Sequence, residues 1–230
     1  TTYSMKLVNS DIPSFDNDGI THSYNFVYSQ GCYCGAFDDR TTTPGSYTTD
    51  CFAELFATDD DGAAATIMNS RYGWGSPGNP GYGTGDEFDR EFFNVLFNQG
   101  LERAGVAHAV HKDAFVGAAH SDGYTRYTLY ELNLLGDPES RIWTANPVVP
   151  TVAHPTQIPL GENQLLVTVA RDGAAVVGAM VHLSSDEIFA SAETGPDGVA
   201  VLTVAPSYEG TVSLTVTGQG ILPYSTGIEA

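Results

Sequence analysis

Hydrophobic and polar positions in the first part of the chain predict strands that alternate with helices. The apolar residues of the segment 25–30 predict a strand that runs into a turn at Gly31-Cys32. The short apolar run from Ala63 to Met68 suits a buried parallel strand. Alternating strands and helices are typical of α/β domains, but two or three strands are too few for a freestanding, doubly covered sheet. We therefore expect a truncated α/β domain, with a small α+β domain as the alternative.

Three helices are predicted in the same part of the chain. The first runs from Cys51 to Ala57, with Asp50 as its N-cap. The second begins at the capping-box sequence 84–87 and ends near Gly105. The third stops at Gly136-Asp137-Pro138. Their apolar faces consist of Phe88, Phe92, Leu96 and Phe97 in the second helix and of Tyr127, Tyr130 and Leu134 in the third.

The last part of the chain shows the alternation of apolar and polar residues that is typical of β-strands with one buried face. Several short strands at this spacing, with a tight-turn sequence at Pro196-Asp197-Gly198, predict an immunoglobulin-like β-sandwich. The Cys…Trp…Cys pattern of antibody domains is not part of it. The residues expected to face inward, alternating with outward-facing residues, are Leu165, Val167 and Val169, then Val199, Val201 and Thr203, and then Val212, Leu214 and Val216.

The distribution of aromatic residues marks a boundary between these two parts. After residue 146 the only aromatic residues are Phe189, Tyr208 and Tyr224. The change falls in the proline-marked segment 145–150, which is typical of a linker. We therefore predict a first domain over residues 1–146 and a second over residues 147–230.

Charge and composition exclude several classes of function. The chain has 9 basic and 28 acidic residues, a formal net charge of −19, which repels a phosphate backbone and excludes sequence-independent nucleic-acid binding. No apolar run approaches the roughly 20 residues that span a bilayer. A surface of Thr, Ser, Gly, Tyr and carboxylates with few lysines indicates a secreted or cell-surface protein.

The three cysteines are the first candidates for chemistry. Cys32, Cys34 and Cys51 are too few for a tetrahedral zinc site unless His22 adds a fourth ligand, and the spacing matches no established zinc pattern. Packing as small buried hydrophobic residues is the simplest interpretation. Cys32, however, follows a predicted strand, and catalytic groups gather at the C-terminal edge of open α/β sheets. A thiolate there is a candidate nucleophile.

Several carboxylates and histidines are weaker candidates for metal ligands. Ca²⁺ prefers oxygen ligands, but none of the acidic runs has EF-hand spacing, and solvated loop carboxylates are the alternative. The histidines at 108, 111 and 120 lie near acidic residues, and a solvated face is expected there. The acidic candidates are Asp38 and Asp39, Asp59, Asp60 and Asp61, and the pair Asp16 and Asp18.

Four segments, in order along the chain, resemble one family. The segment 31–38 followed by Cys51-Phe52-Ala53-Glu54 resembles the active-site stretch of gingipain-type cysteine peptidases, of the caspase–gingipain clan. The strand 62–67 leading to 69–77 resembles the family's next strand and substrate-pocket loop, and Leu134-Leu135-Gly136-Asp137-Pro138 resembles the motif that closes its catalytic domain. The resemblance implies a partial caspase-like (caspase–haemoglobinase) α/β sandwich followed by an all-β immunoglobulin-like sandwich.

The resemblance also implies site residues. Cys32 aligns with the nucleophile, which attacks a peptide carbonyl and forms a thioester, with its own N–H in the oxyanion hole. Trp74 aligns with an aromatic wall of the substrate pocket, and Tyr72 and Ser70 lie in the same loop. The chemistry requires no cofactor, and family members carry structural calcium. No role carries over to Cys34; a Cys34–Cys51 disulfide is an alternative that spacing cannot establish.

One departure from the family limits this interpretation. The family's catalytic His stands in a Gly-His-Gly-like loop a few tens of residues before the Cys, a distance that reaches or passes the start of this chain. We expect the His from upstream of Thr1, in the same precursor, or from a partner chain. The alternative is a catalytically silent surface or structural protein, an adhesin or filament subunit that forms homo-oligomers or polymers. The resemblance also places the family's acidic or basic pocket residue, which sets the cleavage specificity, upstream.

Overall fold

The computed structural model describes residues 7–17, 19, 22–40 and 50–230. The chain divides into two compact units, one ending at Ile142 and the other comprising Trp143–Ala230. In the first unit a 3-10 helix (Asn9–Ser14) precedes the helices α1 (Phe52–Thr58), α2 (Thr84–Phe97), α3 (Ala104–Asp113), α4 (Val116–Ala119) and α5 (Gly123–Glu131) and the strands β1 (Asn25–Ser29), β2 (Ala63–Asn69) and β3 (Leu132–Gly136).

The first unit is built on a three-stranded sheet in the order β1-β2-β3. β1 runs parallel to β2, and β3 runs antiparallel to it. Successive β2 side chains point to opposite faces, so Ile67 packs with Phe88 and Phe92 of α2, while Met68 packs on the other face with Phe56 of α1. Both faces of the sheet are therefore covered, as an α/β unit requires.

The helix starts differ from the sequence prediction by one residue. The N-cap of α1 is Cys51 instead of Asp50, and its N–H donates to the Glu54 carboxylate at 2.8 Å. The N-cap of α2 is Gly83, whose N–H donates to the Asp86 carboxylate at 2.9 Å. In both helices the carboxylate at the third position caps a backbone N–H, so the acidic residue determines the start.

Two predicted helix ends were also wrong. α2 ends at Phe97 and not near Gly105, because the chain turns at Gly100, which has a positive φ of 68°, before α3 begins. The third predicted helix was extended through Leu134, but α5 ends at Glu131. Leu134 lies in β3 opposite Ile67 of β2, so pairing within the sheet overrides the helical spacing of its apolar residues.

The second unit is a two-sheet β-sandwich, as the alternation predicted. One sheet has the order β11-β10-β7-β8, and the other joins β4, β5 and β6, with β9 paired to β5. Gly198 in the predicted tight turn has a φ of +77°. The strands are β4 (Thr151–Ala153), β5 (Asn163–Arg171), β6 (Ala174–Ala175), β7 (Met180–Ser184), β8 (Phe189–Glu193), β9 (Val199–Val204), β10 (Thr211–Thr217) and β11 (Tyr224–Glu229).

One strand of the sandwich buries the opposite set of side chains from the set that was predicted. In β9 the buried residues are Ala200, Leu202 and Val204, while Val201 and Thr203 are exposed. Both sets alternate along the strand, and the segment is apolar at five of its six positions. Sequence alternation could therefore not select the buried face, and packing against the other sheet decided it.

No helix in the described part of the chain combines the length and apolar character needed to cross a membrane.

Candidate active site

Cys32 lies in the segment 32–39, which is separated from the end of β1 by two residues and which we call the Cys32 turn. Its side chain is exposed, and its sulfur lies 3.7 Å from the carbonyl oxygen of Gly73. Gly73 follows β2, so the turn after one parallel strand meets the segment after the next. This is the C-terminal edge of the parallel pair, where the sequence predicted a nucleophile.

Backbone hydrogen bonds fix the turn to the segment after β2. The Tyr33 N–H donates to the Arg71 carbonyl oxygen at 2.6 Å, and the Gly35 N–H donates to the Asn69 carbonyl oxygen at 2.9 Å. Tyr33 has a φ of +60°, in the left-handed region that side chains with a Cβ rarely adopt. The residue after Cys32 is therefore held in an unusual conformation by its neighbours.

The other two cysteines are less accessible than Cys32. Cys34 is partly buried, and burial raises the pKa of its thiol. Cys51 is buried at the start of α1, where burial raises the pKa of the thiol to about 11. The Cys34–Cys51 disulfide is not formed, since all three cysteines are free thiols. Cys32 is therefore the thiol most open to solvent.

Trp74 stands in a patch of aromatic side chains near the Cys32 turn. Its ring centroid lies 4.7 Å from that of Tyr124, 5.8 Å from that of Tyr127 and 6.1 Å from that of Tyr72. The Tyr72 ring also meets the Tyr33 ring edge to face, with the centroids 5.1 Å apart. We call these five residues the aromatic patch. Their partly exposed rings offer an apolar surface next to the candidate nucleophile.

Ser70 is placed differently from its two loop neighbours. Its side chain is buried, and its hydroxyl oxygen accepts a hydrogen bond from the Asn133 side chain at 3.2 Å. Its backbone N–H donates to the Glu131 carbonyl oxygen at 2.8 Å. The structure therefore places Tyr72 and Trp74 in the patch and Ser70 in the packing beneath it.

Sequence reasoning missed the ion pair beside the turn. Arg71 donates two hydrogen bonds to the Asp38 carboxylate, at 3.1 and 2.7 Å, and this guanidinium holds the pKa of Asp38 below its usual range. The Arg40 side chain lies 3.5 Å from the same carboxylate. Asp38 and Arg71 are 33 positions apart, so no local spacing indicates their contact.

Sequence reasoning also missed Glu131, at the end of α5. Its side chain is 3% exposed, and the backbone N–H of Arg71 is the hydrogen-bonding group that faces its carboxyl. Burial raises the pKa of this carboxyl to about 8, and the nearby Arg71 opposes the shift only in part. The carboxyl also raises the pKa of Tyr127 in the aromatic patch, where burial is the larger cause. A protonatable group therefore lies close to the patch.

Comparison with known proteins identifies the family. A family model described as peptidase family C25 matches residues 2–143. The chain belongs to peptidase family C25. The gingipain-type resemblance inferred from the motifs is thereby confirmed, and the chain is a member of a cysteine peptidase family. None of the curated proteins matches the chain significantly.

Solved structures support the fold of this C25 chain. "Crystal structure of the Arg specific cysteine proteinase gingipain R (RGPB)" matches with a TM-score of 0.68 and 21% identity, over 96% of this chain and 48% of that one. A complex of Porphyromonas gingivalis RgpB pro- and mature domains matches with a TM-score of 0.66 and 21% identity, over 96% of this chain and 49% of the solved chain. A structure titled "Structure of Protease" matches with a TM-score of 0.64 and 18% identity, over 97% and 50%. The partial caspase-like fold followed by a β-sandwich is confirmed, and the chain spans about half the length of these solved chains.

The acidic candidates do not form a metal site in the described residues of the C25 chain. No three His, Cys, Asp or Glu side chains there gather into a group that could hold a metal ion. The carboxylate of Asp38 is occupied by Arg71, and that of Asp59 accepts the Asp61 backbone N–H at 3.0 Å. Asp39 has a φ of +62°, and Asp18 lies outside the described residues. Among the described candidates, therefore, no group supplies the six to eight oxygen ligands that calcium takes.

The histidines of α3 are not on a solvated face. His111 is fully buried among the rings of Phe88 and Phe92, and burial lowers its pKa to about 4. The expectation was wrong for His108 and His111 because α3 turns this side of its surface toward α2, whereas His120, after α4, is exposed as expected. His22 is exposed before β1, and its Nδ1 lies 3.1 Å from the Asp16 carbonyl oxygen.

Proposed function

We propose that this C25 chain is the nucleophile-bearing part of a secreted or cell-surface cysteine endopeptidase that cleaves protein or peptide substrates. The observation that carries the proposal is the position of Cys32, an exposed thiol at the C-terminal edge of the β1–β2 pair and 3.7 Å from the segment that leads to Trp74. A nucleophile beside an apolar patch is what peptide-bond cleavage with side-chain recognition requires.

In the proposed reaction the Cys32 thiolate attacks the carbonyl carbon of the scissile peptide. The carbon–sulfur bond forms while the carbonyl electron pair moves to oxygen, and the Cys32 N–H donates to this oxyanion. The amine then leaves with a proton, and water hydrolyses the thioester. The aromatic patch receives the side chain that precedes the cut. No cofactor takes part in these steps.

The proposed general base comes from outside this chain. The sulfur of Cys32 contacts the Gly73 carbonyl oxygen, and an amide carbonyl is too weak a base to take the thiol proton. We propose that a His from upstream of Thr1 in the same precursor, or from a partner chain, supplies this function. The solved chains that match are about twice as long, which supports an additional segment.

The sheet has an edge at which such a segment could pair. Among the described strands, β1 has β2 as its one neighbour. Next to this edge, Phe93 contacts Tyr28 of β1 and stacks on Phe97, and both phenylalanines are exposed on α2. A strand edge that has no partner among the described strands, beside an apolar surface, favours association with another strand-bearing segment.

Reconstitution with the upstream part of the precursor tests the proposal. The two segments are co-expressed and assayed against a peptide library, with Cys32→Ser as the inactive control and Cys34→Ser as the matched variant that keeps the nucleophile. We expect cleavage that is lost in Cys32→Ser and retained in Cys34→Ser. A complex that forms and cleaves nothing would contradict the proposal.

The second candidate is a catalytically silent surface or structural subunit. The open β1 edge and the exposed Phe93 and Phe97 favour it, because the same features serve assembly between copies. Ordered polymers seen by electron microscopy, together with no cleavage by the reconstituted complex, would support this function over peptidase activity.

A further inference from the structure

Arg71 holds the Cys32 turn at two points. Its backbone carbonyl oxygen accepts the Tyr33 N–H at 2.6 Å, directly after Cys32. Its guanidinium binds both oxygens of Asp38, at the far end of the turn, at 3.1 and 2.7 Å. The guanidinium carbon also lies 5.9 Å from the centre of the Tyr33 ring. One residue therefore joins both ends of the turn.

Arg71 itself is firmly anchored to the fold. The preceding residue, Ser70, donates its N–H to the Glu131 carbonyl oxygen at the end of α5, and its own carbonyl oxygen accepts the Arg71 guanidinium at 2.6 Å. The Arg71 side chain is 29% exposed, less than the 50% of Arg103 in the Arg103–Glu139 pair elsewhere in the unit. An ion pair with two hydrogen bonds and a partly shielded guanidinium restricts the positions of its two side chains more than a single exposed contact does.

The turn needs such a restraint because two of its residues have strained backbones. Tyr33 and Asp39 have φ values of +60° and +62°, and such conformations persist only when the surroundings hold them. Cys34 lies between Cys32 and the Asp38 end of the turn, partly buried and packed against the core on the α1 face of the sheet. Loosening the turn would therefore expose the Cys34 thiol.

We propose that Arg71 and Asp38 are positioning residues, which hold the turn so that Cys32 faces solvent and Cys34 stays shielded. The inference rests on the proposed function only in naming Cys32 as the nucleophile. The restraint on the turn is a property of the chain whether or not it cleaves peptides.

Differential alkylation tests the proposal. In a Cys32→Ser background, the rates of iodoacetamide labelling at Cys34 and Cys51 are followed by peptide mapping. Cys51 is buried at the start of α1, so its labelling reports unfolding of the unit. We expect Asp38→Asn and Arg71→Lys to raise the Cys34:Cys51 ratio about threefold, since lysine cannot make the two-pronged contact. Asp38→Glu keeps the negative charge and should therefore keep most of the shielding of the Cys34 thiol.

The Arg103–Glu139 pair provides the matched control. Glu139→Gln removes an exposed ion pair of the same unit and should leave the Cys34:Cys51 ratio unchanged. If a variant does not fold, the unsubstituted pair is tested by raising NaCl to about 1 M, which screens a partly exposed ion pair and should raise the same ratio. An unchanged ratio, or equal increases at Cys34 and Cys51, would overturn the proposal.

A readout of catalysis separates this inference from the proposed function. In an active reconstituted complex that retains Cys32, Asp38→Asn should lower kcat more than it raises KM. The nucleophile is misplaced, whereas Trp74, Tyr124 and Tyr127 of the aromatic patch lie outside the loosened turn. If the complex is inactive but the labelling ratio responds as expected, the peptidase proposal fails and the positioning role stands.

Discussion

The Cys32 sulfur and the Gly73 carbonyl oxygen, 41 positions apart in the chain, lie 3.7 Å from each other. This contact joins the turn after β1 to the segment after β2 that carries Trp74. Gly73 allows the approach because a Cβ at this position would lie 2.0 Å from the Gln30 carbonyl oxygen. The absence of a side chain at residue 73 is therefore a condition for bringing the candidate nucleophile to the aromatic patch.

Gly73→Ala should displace this segment from the Cys32 turn. The clash is with backbone, which cannot rotate away, so we expect a loss of roughly 1–3 kcal/mol in the free energy of unfolding. Gly75→Ala is the matched control, because a Cβ there meets nothing within 4 Å. Urea denaturation of both variants measures the difference, and equal stabilities would contradict the geometry around Gly73.

Cys32 should be the fastest of the three cysteines to react with iodoacetamide in the native chain. It is exposed, whereas burial raises the pKa of the thiols of Cys34 and Cys51 and so lowers their thiolate fractions. Peptide mapping at neutral pH, with a denatured sample as the reference for equal access, measures the order. Preferential labelling of Cys34 or Cys51 would remove Cys32 as the candidate nucleophile.

The buried carboxyl of Glu131 should make the chain less stable as the pH rises. Its pKa is about 8 in the folded chain against an ordinary value of 4.5, so the folded state binds more protons between these values. The Glu131 contribution to the free energy of unfolding therefore falls across this range, by on the order of 2–4 kcal/mol, and levels off above it. Below about pH 6.5 the buried His111, whose pKa is about 4, contributes in the opposite direction, so the net fall is expected above that pH.

Glu131→Gln should remove most of that pH dependence. Urea denaturation at about pH 7 and about pH 8, above the range in which His111 changes charge, measures the slope. Glu87→Gln, at an exposed position on α2, is the matched control. If Glu131→Gln keeps the slope of the unsubstituted chain, a different group is responsible for it.

Phe92 should contribute far more to stability than Phe97 on the same helix. Phe92 is fully buried and stacks on Phe26 of β1, whereas Phe97 is 60% exposed. We expect Phe92→Ala to cost about 3–5 kcal/mol and Phe97→Ala about 0.5 kcal/mol or less. Thermal denaturation compares the two, and similar losses would show that α2 presents a different face to the sheet.

The local predictions that held rest on patterns within a single element. The strands around Tyr28 and Ile67 were predicted because apolar residues of a buried strand are adjacent in sequence. The start of α2 was predicted to within one residue because its acidic cap is local. The predictions for Leu134 and for the face of β9 were wrong because each segment suits two conformations, and the neighbouring strand selected between them.

Residue patterns along the chain were sufficient to predict the two-part organisation, the α/β and β-sandwich classes, the acidic character and the choice of Cys32 as candidate nucleophile. These follow from composition, periodicity and motifs that are read within short stretches. Three contacts became visible only in the folded chain: Arg71 binds Asp38, the Tyr124 ring packs against Trp74, and the carboxyl of Glu131 is buried near Arg71. Those contacts join residues 33, 50 and about 60 positions apart, and such distances are set by how the helices and strands pack.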